Sequence, residues 1–237
     1  MEVSIESRVQ ALAANTVARD LDACGWARLP GLLTREECRE TAALYGPSEH
    51  FRSHVVMARH GYGRGEYRYF TYPLPDLVAS FRAGLYERLV PLANRWRQGL
   101  RLGDPFPDSH ADYLRHCHAA GQTRPTPLIL RYGAGDYNCL HQDLYGDLAF
   151  PMQAAFLLSQ PGTDFTGGEF VLTEQRPRMQ SRVTVVPLQA GEAVIFAVNQ
   201  RPVQGSRGTY RVTMRHGVSP VLSGSRHTLG IILHDAA

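Results

Sequence analysis

The sequence predicts an α+β protein in which a helical layer packs against a β core, within one domain spanning residues 1–237. Three observations carry this. Apolar residues recur at helical spacing through much of the first 120 residues, with Val9, Leu12, Val17 and Leu21 as the opening example. After Gly121 the chain breaks into short apolar runs punctuated by Gly, Pro, Asn and Asp, the pattern of a sandwich, jelly roll or barrel. A hydrophobic fraction of 43% and a charged fraction of 20% suit one globular unit and exclude disorder on composition.

Residues 7–24 read as one amphipathic helix, followed by a strand in "GWARLPGLL". Thr34, with Glu37 three positions on, forms a capping-box pattern for a helix ending near Gly46. Two further helices are expected between residue 76 and about 120, with Pro91 kinking or dividing the first. Seven or eight strands follow, among them "PLILRYG", "MQAAFLLSQ", "GGEFVLTE", "RVTVVPLQ", "AVIFAV", "TYRVTMRHGVSPV" and "RHTLGIILH".

Every one of the 25 basic residues is Arg, as the codon bias of a GC-rich genome would produce, and the net charge of +3 is mild. It admits an anionic substrate but is too small to indicate a dedicated nucleic-acid binder. Cys24, Cys38, Cys117 and Cys139 form no C-x-x-C pair and read as reduced thiols. No apolar leader or long apolar run is present, so a soluble, cytoplasmic protein is expected, with no membrane or obligate protein partner.

The chemistry concentrates in "CLHQDLYGDLAF", where His141 and Asp143 are two apart in an expected strand and so share a face. A second H-x-D, His110 and Asp112, lies in an expected helix, where such residues diverge by about 200°. That cluster, with His116 and His118, reads as a solvated helix face or its end. His216 supplies a third ligand from another strand, and a hairpin through "LSGS" would lay that strand beside the one carrying Arg226 and Thr228. Two imidazoles and one carboxylate on one face of a metal leave positions open, as in non-haem Fe(II) oxygenases. Arg226 would then pair bidentately with the far carboxylate of a chelating cosubstrate, and Thr228 would add a hydroxyl donor.

H-x-D, a distant His in "HGVSPV" and an R-x-T beyond it resemble the Fe(II)- and 2-oxoglutarate-dependent dioxygenases of the prolyl-hydroxylase type. The likeness covers residues 127–235 well, and the whole chain resembles a bacterial group described as acting oxidatively on damaged DNA. It implies a double-stranded β-helix, a cupin-like jelly roll, at 121–237. Residues 1–120 would be mostly helical support and a substrate-side segment. It implies Fe(II), 2-oxoglutarate and O2 as cofactor and cosubstrates, with ascorbate stimulating turnover. His141, Asp143 and His216 would hold the metal, and Arg226 and Thr228 the cosubstrate, with Tyr132 or, second, Tyr137 touching it. "GGEF" and "AGEAVIF" match the family's turn before a core strand and its strand entry. Thr228 stands where many relatives have Ser, which keeps the hydroxyl.

Substrate contacts are sought in "RHGYGRGEYRYFTYPLP", where Arg59, Arg64, Tyr67 and Tyr69 mix guanidinium groups and rings suited to phosphates and bases. The same segment would equally serve as a loop or hairpin over the mouth, or as packing. Arg176, in "TEQRPRMQSR", is a further candidate if that turn reaches the mouth. Asp147 reads as a turn residue, His227 as packed or solvated, and His234 receives no role. The expected reaction is C–H hydroxylation or oxidative demethylation of a nucleotide or alkylated base. The alternatives are a hydroxylase of a free amino acid or other small metabolite, and a non-catalytic jelly-roll binding module.

Overall fold

The computed structural model describes residues 3–46, 48–206 and 208–237. Its helices are α1 (Ile5–Gln10), α2 (Ala14–Cys24), α3 (Arg35–Ala43), α4 (Asp76–Leu100) and α5 (His110–Ala119). The strands are β1 (Trp26–Leu29), β2 (Phe51–Val56), β3 (Gly63–Arg64), β4 (Glu66–Phe70), β5 (Leu128–Tyr132), β6 (Tyr137–His141), β7 (Met152–Leu157) and β8 (Phe165–Gly167). They continue with β9 (Phe170–Gln175), β10 (Arg182–Val186), β11 (Ala193–Ala197), β12 (Gln200–Gly205), β13 (Gly208–Val218), β14 (Val221–Gly224) and β15 (Arg226–Ile232).

The strands form a jelly roll in which every ladder between them is antiparallel. The major sheet has the order β1-β11-β7-β15-β5-β4-β2, and the minor sheet β10-β9-β13-β6-β3, with β12 also paired to β13. Alternation along the central strands explains the layering. On β7, Ala154 and Phe156 join the core beneath the helices, while Ala155 and Leu157 join the one between the sheets; Ile195 opposes Val194 and Phe196 on β11 in the same way. Strands buried on both faces read as continuous apolar runs, which is why "MQAAFLL" shows no alternation.

Four sequence expectations change. Strands β2 to β4 fall within the half expected to be mostly helical, whereas β1 is the strand expected in "GWARLPGLL"; β1 and β2 form the two edges of the major sheet. The helix expected over 7–24 is two helices, because Arg88 of α4 donates to the carbonyls of Gln10 and Leu12 and so satisfies the broken turn. Pro91 does not divide α4; it is exposed, where water can take the carbonyl its missing N–H leaves unpaired. Finally, β13 and β15 do not pair: β14 intervenes and pairs with β8, so the His216 and Arg226 strands lie in different sheets. The Thr34–Glu37 capping box forms as expected.

The chain end is fixed to the helical layer by a buried ion pair. Arg82 on α4 donates to Asp235 at 2.7 Å and to the Ile232 carbonyl at 2.9 Å. Tyr72 and His118 complete the shell around that carboxylate. Burial alone would push the Asp235 carboxyl up, but Arg82, His118 and Tyr72 hold it below its usual value. Asp235→Ala, which strands a guanidinium in the core, should cost about 3–5 kcal/mol in denaturant unfolding at neutral pH. Because the folded-state pKa is depressed, the wild type keeps this contribution above the usual carboxylate range and loses it as pH falls below that range. The gap between wild type and variant should narrow there.

Candidate metal centre and its cavity

His141 and His216 are brought together by a cross-strand pairing of β6 with β13, in which they are direct partners. Between that pair and the next, Asn138 with Val218, β6 spends three residues where β13 spends two. This bulge turns Asn138 to the same side as His141, where its amide donates to Tyr132 Oη at 3.4 Å. Strand β6 ends at His141, so Asp143 is not a strand residue as the sequence suggested. Gln142 pins the chain there by donating to Asn199 Oδ1 and to the Met214 carbonyl, both at 2.8 Å, and Asp143 still converges on the imidazoles.

Ligand atoms of His141, Asp143 and His216 all lie within 4.8 Å of one another. His141 Nε2 is 3.5 Å from Asp143 Oδ1, and His216 Nε2 is 3.3 Å from Asp143 Oδ2. His141 Nδ1 donates to the Cys139 carbonyl at 2.8 Å, which fixes the ring with Nε2 facing Asp143. His216 packs against Phe196, centroids 4.6 Å apart, and burial lowers its pKa. Asp143 accepts from Tyr145 Oη on one oxygen and from Gln153 Nε2 on the other, each at 2.7 Å. Burial opposes ionisation of Asp143, yet His216, His141 and the Gln153 amide hold its pKa well below the carboxylate range.

The triad faces a cavity of about 370 Å³ between the two sheets. Across it, Arg226 is 2% exposed and donates to Thr228 Oγ1 at 2.5 Å. It lies among the rings of Tyr132 and Phe165 at 5.5 and 5.8 Å, its Nε unpartnered. Burial pushes its pKa down to about 10, which leaves it protonated at neutral pH. Among the described residues it forms no ion pair. Room for it depends on the "GGEF" turn. Gly167 and Gly168 both have positive φ, and a Cβ at Gly168 would meet Arg226 Cδ at 3.0 Å.

The outer wall carries Tyr67 and Tyr69, two apart on β4, with Tyr62 and Tyr145. Tyr132 and Thr228 also line the cavity, whereas Tyr137, Arg59, Arg64 and Arg176 do not. Tyr137 is instead in register with Arg64. Arg176 pairs with Glu174, a nearly buried carboxylate that also meets buried Arg201. His110 is not on a solvated face: it is buried, hydrogen-bonds the Leu233 carbonyl, and burial lowers its pKa to about 4. Asn138, Tyr145 and Gln153 were not singled out from sequence. Gln153 had a signal, a lone polar residue in the apolar run "MQAAFLL". The bulge that turns Asn138 inward had none.

A buried carboxylate converging with two imidazole nitrogens offers a site for a divalent cation, and its donor set suits Fe(II). The buried Arg226 guanidinium opposite lacks an anion. With the jelly roll around them, these features define a non-haem iron oxygenase of the 2-oxoglutarate-dependent class, for which Fe(II), 2-oxoglutarate and O2 are the cofactor and cosubstrates.

Comparison with known proteins agrees. Residues 65–236 match the model of a family described as an oxygenase catalysing oxidative methylation of damaged DNA, and the chain belongs to that family. Two uncharacterized proteins, from two strains of Mycobacterium tuberculosis, are each 50% identical over 168 residues, covering 71% of this chain and 72% of theirs. Among solved structures, a Pseudomonas putida prolyl-4-hydroxylase is similar at TM-score 0.53 and 18% identity, over 92% of this chain and 96% of that one. A Burkholderia pseudomallei oxidoreductase of the 2OG-Fe(II) oxygenase family gives 0.52 and 17%, over 96% and 94%. A prolyl 4-hydroxylase from Phytophthora capsici gives 0.57 and 17%, over 100% and 67%. Among the described residues no helix is long and apolar enough to cross a membrane.

If the three clustered side chains are the metal ligands, His141→Ala, Asp143→Ala and His216→Ala should each weaken Co(II) binding, followed by its visible absorption, by at least about a hundredfold. His116→Ala, on the exposed face of α5, should bind Co(II) as the wild type does.

Proposed function

We propose that this chain, acting as a single oxygenase domain, oxidises a C–H bond on an alkylated nucleic-acid base, by hydroxylation or oxidative demethylation. The observation that carries the reading is the pair of uncompensated buried charges, Asp143 and Arg226, placed across one cavity whose outer wall is built of tyrosines. His141, Asp143 and His216 hold Fe(II). Arg226, with Thr228 orienting its guanidinium, takes the 5-carboxylate of 2-oxoglutarate as a charge-assisted fork. Tyr132, steadied by Asn138, closes that end of the site. Bound iron supplies oxygen activation, coupled to conversion of 2-oxoglutarate to succinate and CO₂.

Residues at the outer end position the substrate. Tyr67 and Tyr69 meet edge to face at 5.3 Å, and Tyr69 Oη donates to Tyr145 Oη at 2.8 Å. Tyr145 Oη in turn donates to Asp143, so the aromatic wall is tied to the metal ligand. Rings held this way offer faces and edges on which a flat base can pack, and Leu128 and Leu130 complete an apolar lining. Arg59 and Arg64 are exposed outside the cavity, on the segment that contributes Tyr62 to it, and on this reading they would meet a backbone phosphate rather than the base. The damaged-DNA description of the family supports the same substrate class.

The direct test is substrate-stimulated succinate release from 2-oxoglutarate with Fe(II) under air, across methylated oligonucleotides, nucleosides and free amino acids. Stimulation by methylated oligonucleotides, with apparent KM rising steeply with salt, supports the reading. Stimulation by free amino acids alone would replace it with the small-metabolite hydroxylase. Arg226→Gln should keep Co(II) affinity while apparent KM for 2-oxoglutarate rises at least about thirtyfold, from a loss of about 2–5 kcal/mol. Arg226→Lys should fall between, because it keeps the charge without the fork. An unchanged KM in Arg226→Gln would remove Arg226 from the cosubstrate site.

A further inference from the structure

Gln153 is the one side-chain amide on β7, is 5% exposed, and lines the cavity. Its Nε2 donates to Asp143 Oδ2 at 2.7 Å. An ionised carboxylate only accepts, so the amide cannot be turned over: nitrogen faces Asp143 and oxygen faces away. Oε1 is then buried with no hydrogen-bond partner among the described residues. A buried acceptor left without a donor is unfavourable. Its partners in register on the adjacent strands, Phe196 and Ile232, have no side-chain donor to offer. Nor can 2-oxoglutarate supply one, since at neutral pH its carboxylates and keto group only accept.

We propose that Gln153 Oε1 receives an N–H group of the substrate, making Gln153 the residue that selects substrates bearing such a donor beside the carbon to be oxidised. This rests on the base-oxidation reading. A base alkylated on a ring nitrogen keeps its donor in the exocyclic amino group, so the selected class is amino-bearing bases of the cytosine or adenine type. One amide thus does two things: it holds the metal-ligand carboxylate through nitrogen and reads the substrate through oxygen. A substrate lacking the donor leaves Oε1 buried and unpaired in the complex, which is the arrangement that gives polar discrimination its size.

The test measures dissociation constants without turnover, on the whole protein loaded with Mn(II) and 2-oxoglutarate in the absence of O2. The probes are a trinucleotide carrying 3-methylcytosine and its counterpart with the exocyclic amine dimethylated. The wild type should bind the amino form at least about tenfold more tightly, and Gln153→Leu should bind the two alike. Equal binding by the wild type overturns the proposal, with no variant needed. A preference that survives in Gln153→Leu also overturns it, because steric exclusion of the dimethyl group would then explain the difference. Acetamide and N,N-dimethylacetamide, the second with no N–H, extend the comparison to small metabolites. If only this second pair binds, with the same Gln153-dependent preference, the base reading fails while the role of Gln153 stands. If no N–H probe binds the wild type, both fail.

Discussion

Two buried charges of opposite sign share one cavity without neutralising each other. Asp143 is met by the Tyr145 hydroxyl, the Gln153 amide and two imidazoles, with no Arg beside it. Arg226 meets a hydroxyl and two rings. Taking an unpaired ion out of water costs several kcal/mol, a cost that binding of an opposite charge at each site would offset. On the proposed reading, a divalent cation at Asp143 and a dicarboxylate at Arg226 would offset both together, the cosubstrate bridging charges that the protein itself holds apart.

The scaffold exists to hold that separation. The imidazoles come from the minor sheet and Arg226 from the major sheet, so packing between the sheets sets the distance between cation and anion sites. Phe170, Leu172, Val194 and Phe196 fill the space beside the cavity. On its other face the major sheet is backed by α4, whose Phe81 packs against Phe156 with centroids 4.8 Å apart. β15 serves both layers at once: Leu229 and Ile231 go to the helices, while Arg226 and Thr228 go to the cavity. Arg82 and Asp235 fasten the chain just past the end of that strand. A substitution that loosens the helical layer would therefore reach the cosubstrate site through β15.

What the sequence made legible follows from range. Local rules, such as the Thr34 capping box, the period of α4 and the punctuation of the β half, act within a few residues and were readable. That His141, Asp143, His216 and Arg226 would meet at one cavity was readable because their residue types suit one chemistry. What failed depended on long-range partners. Nothing in residues 7–24 announces that Arg88 will satisfy a broken turn there. The alternation of Tyr67 and Tyr69 does not say that β4 will extend the major sheet. The "LSGS" turn resembles a hairpin, but β14 pairs with β8 and carries the chain to the opposite sheet. In the second His-rich cluster His116 and His118 are exposed, as a solvated helix face would have them, and only His110 departs, covered by the chain end at Leu233.

The central claim is that a cation and a dicarboxylate compensate Asp143 and Arg226 jointly. Thermal unfolding of the O2-free protein with Mn(II) alone, 2-oxoglutarate alone, and both together measures this, since a ligand that binds only the folded state raises Tm with the logarithm of its concentration over its Kd. The account predicts a Tm increase with both that exceeds the sum of the separate increases. Additive shifts, or none with both present at saturating concentration, would contradict it.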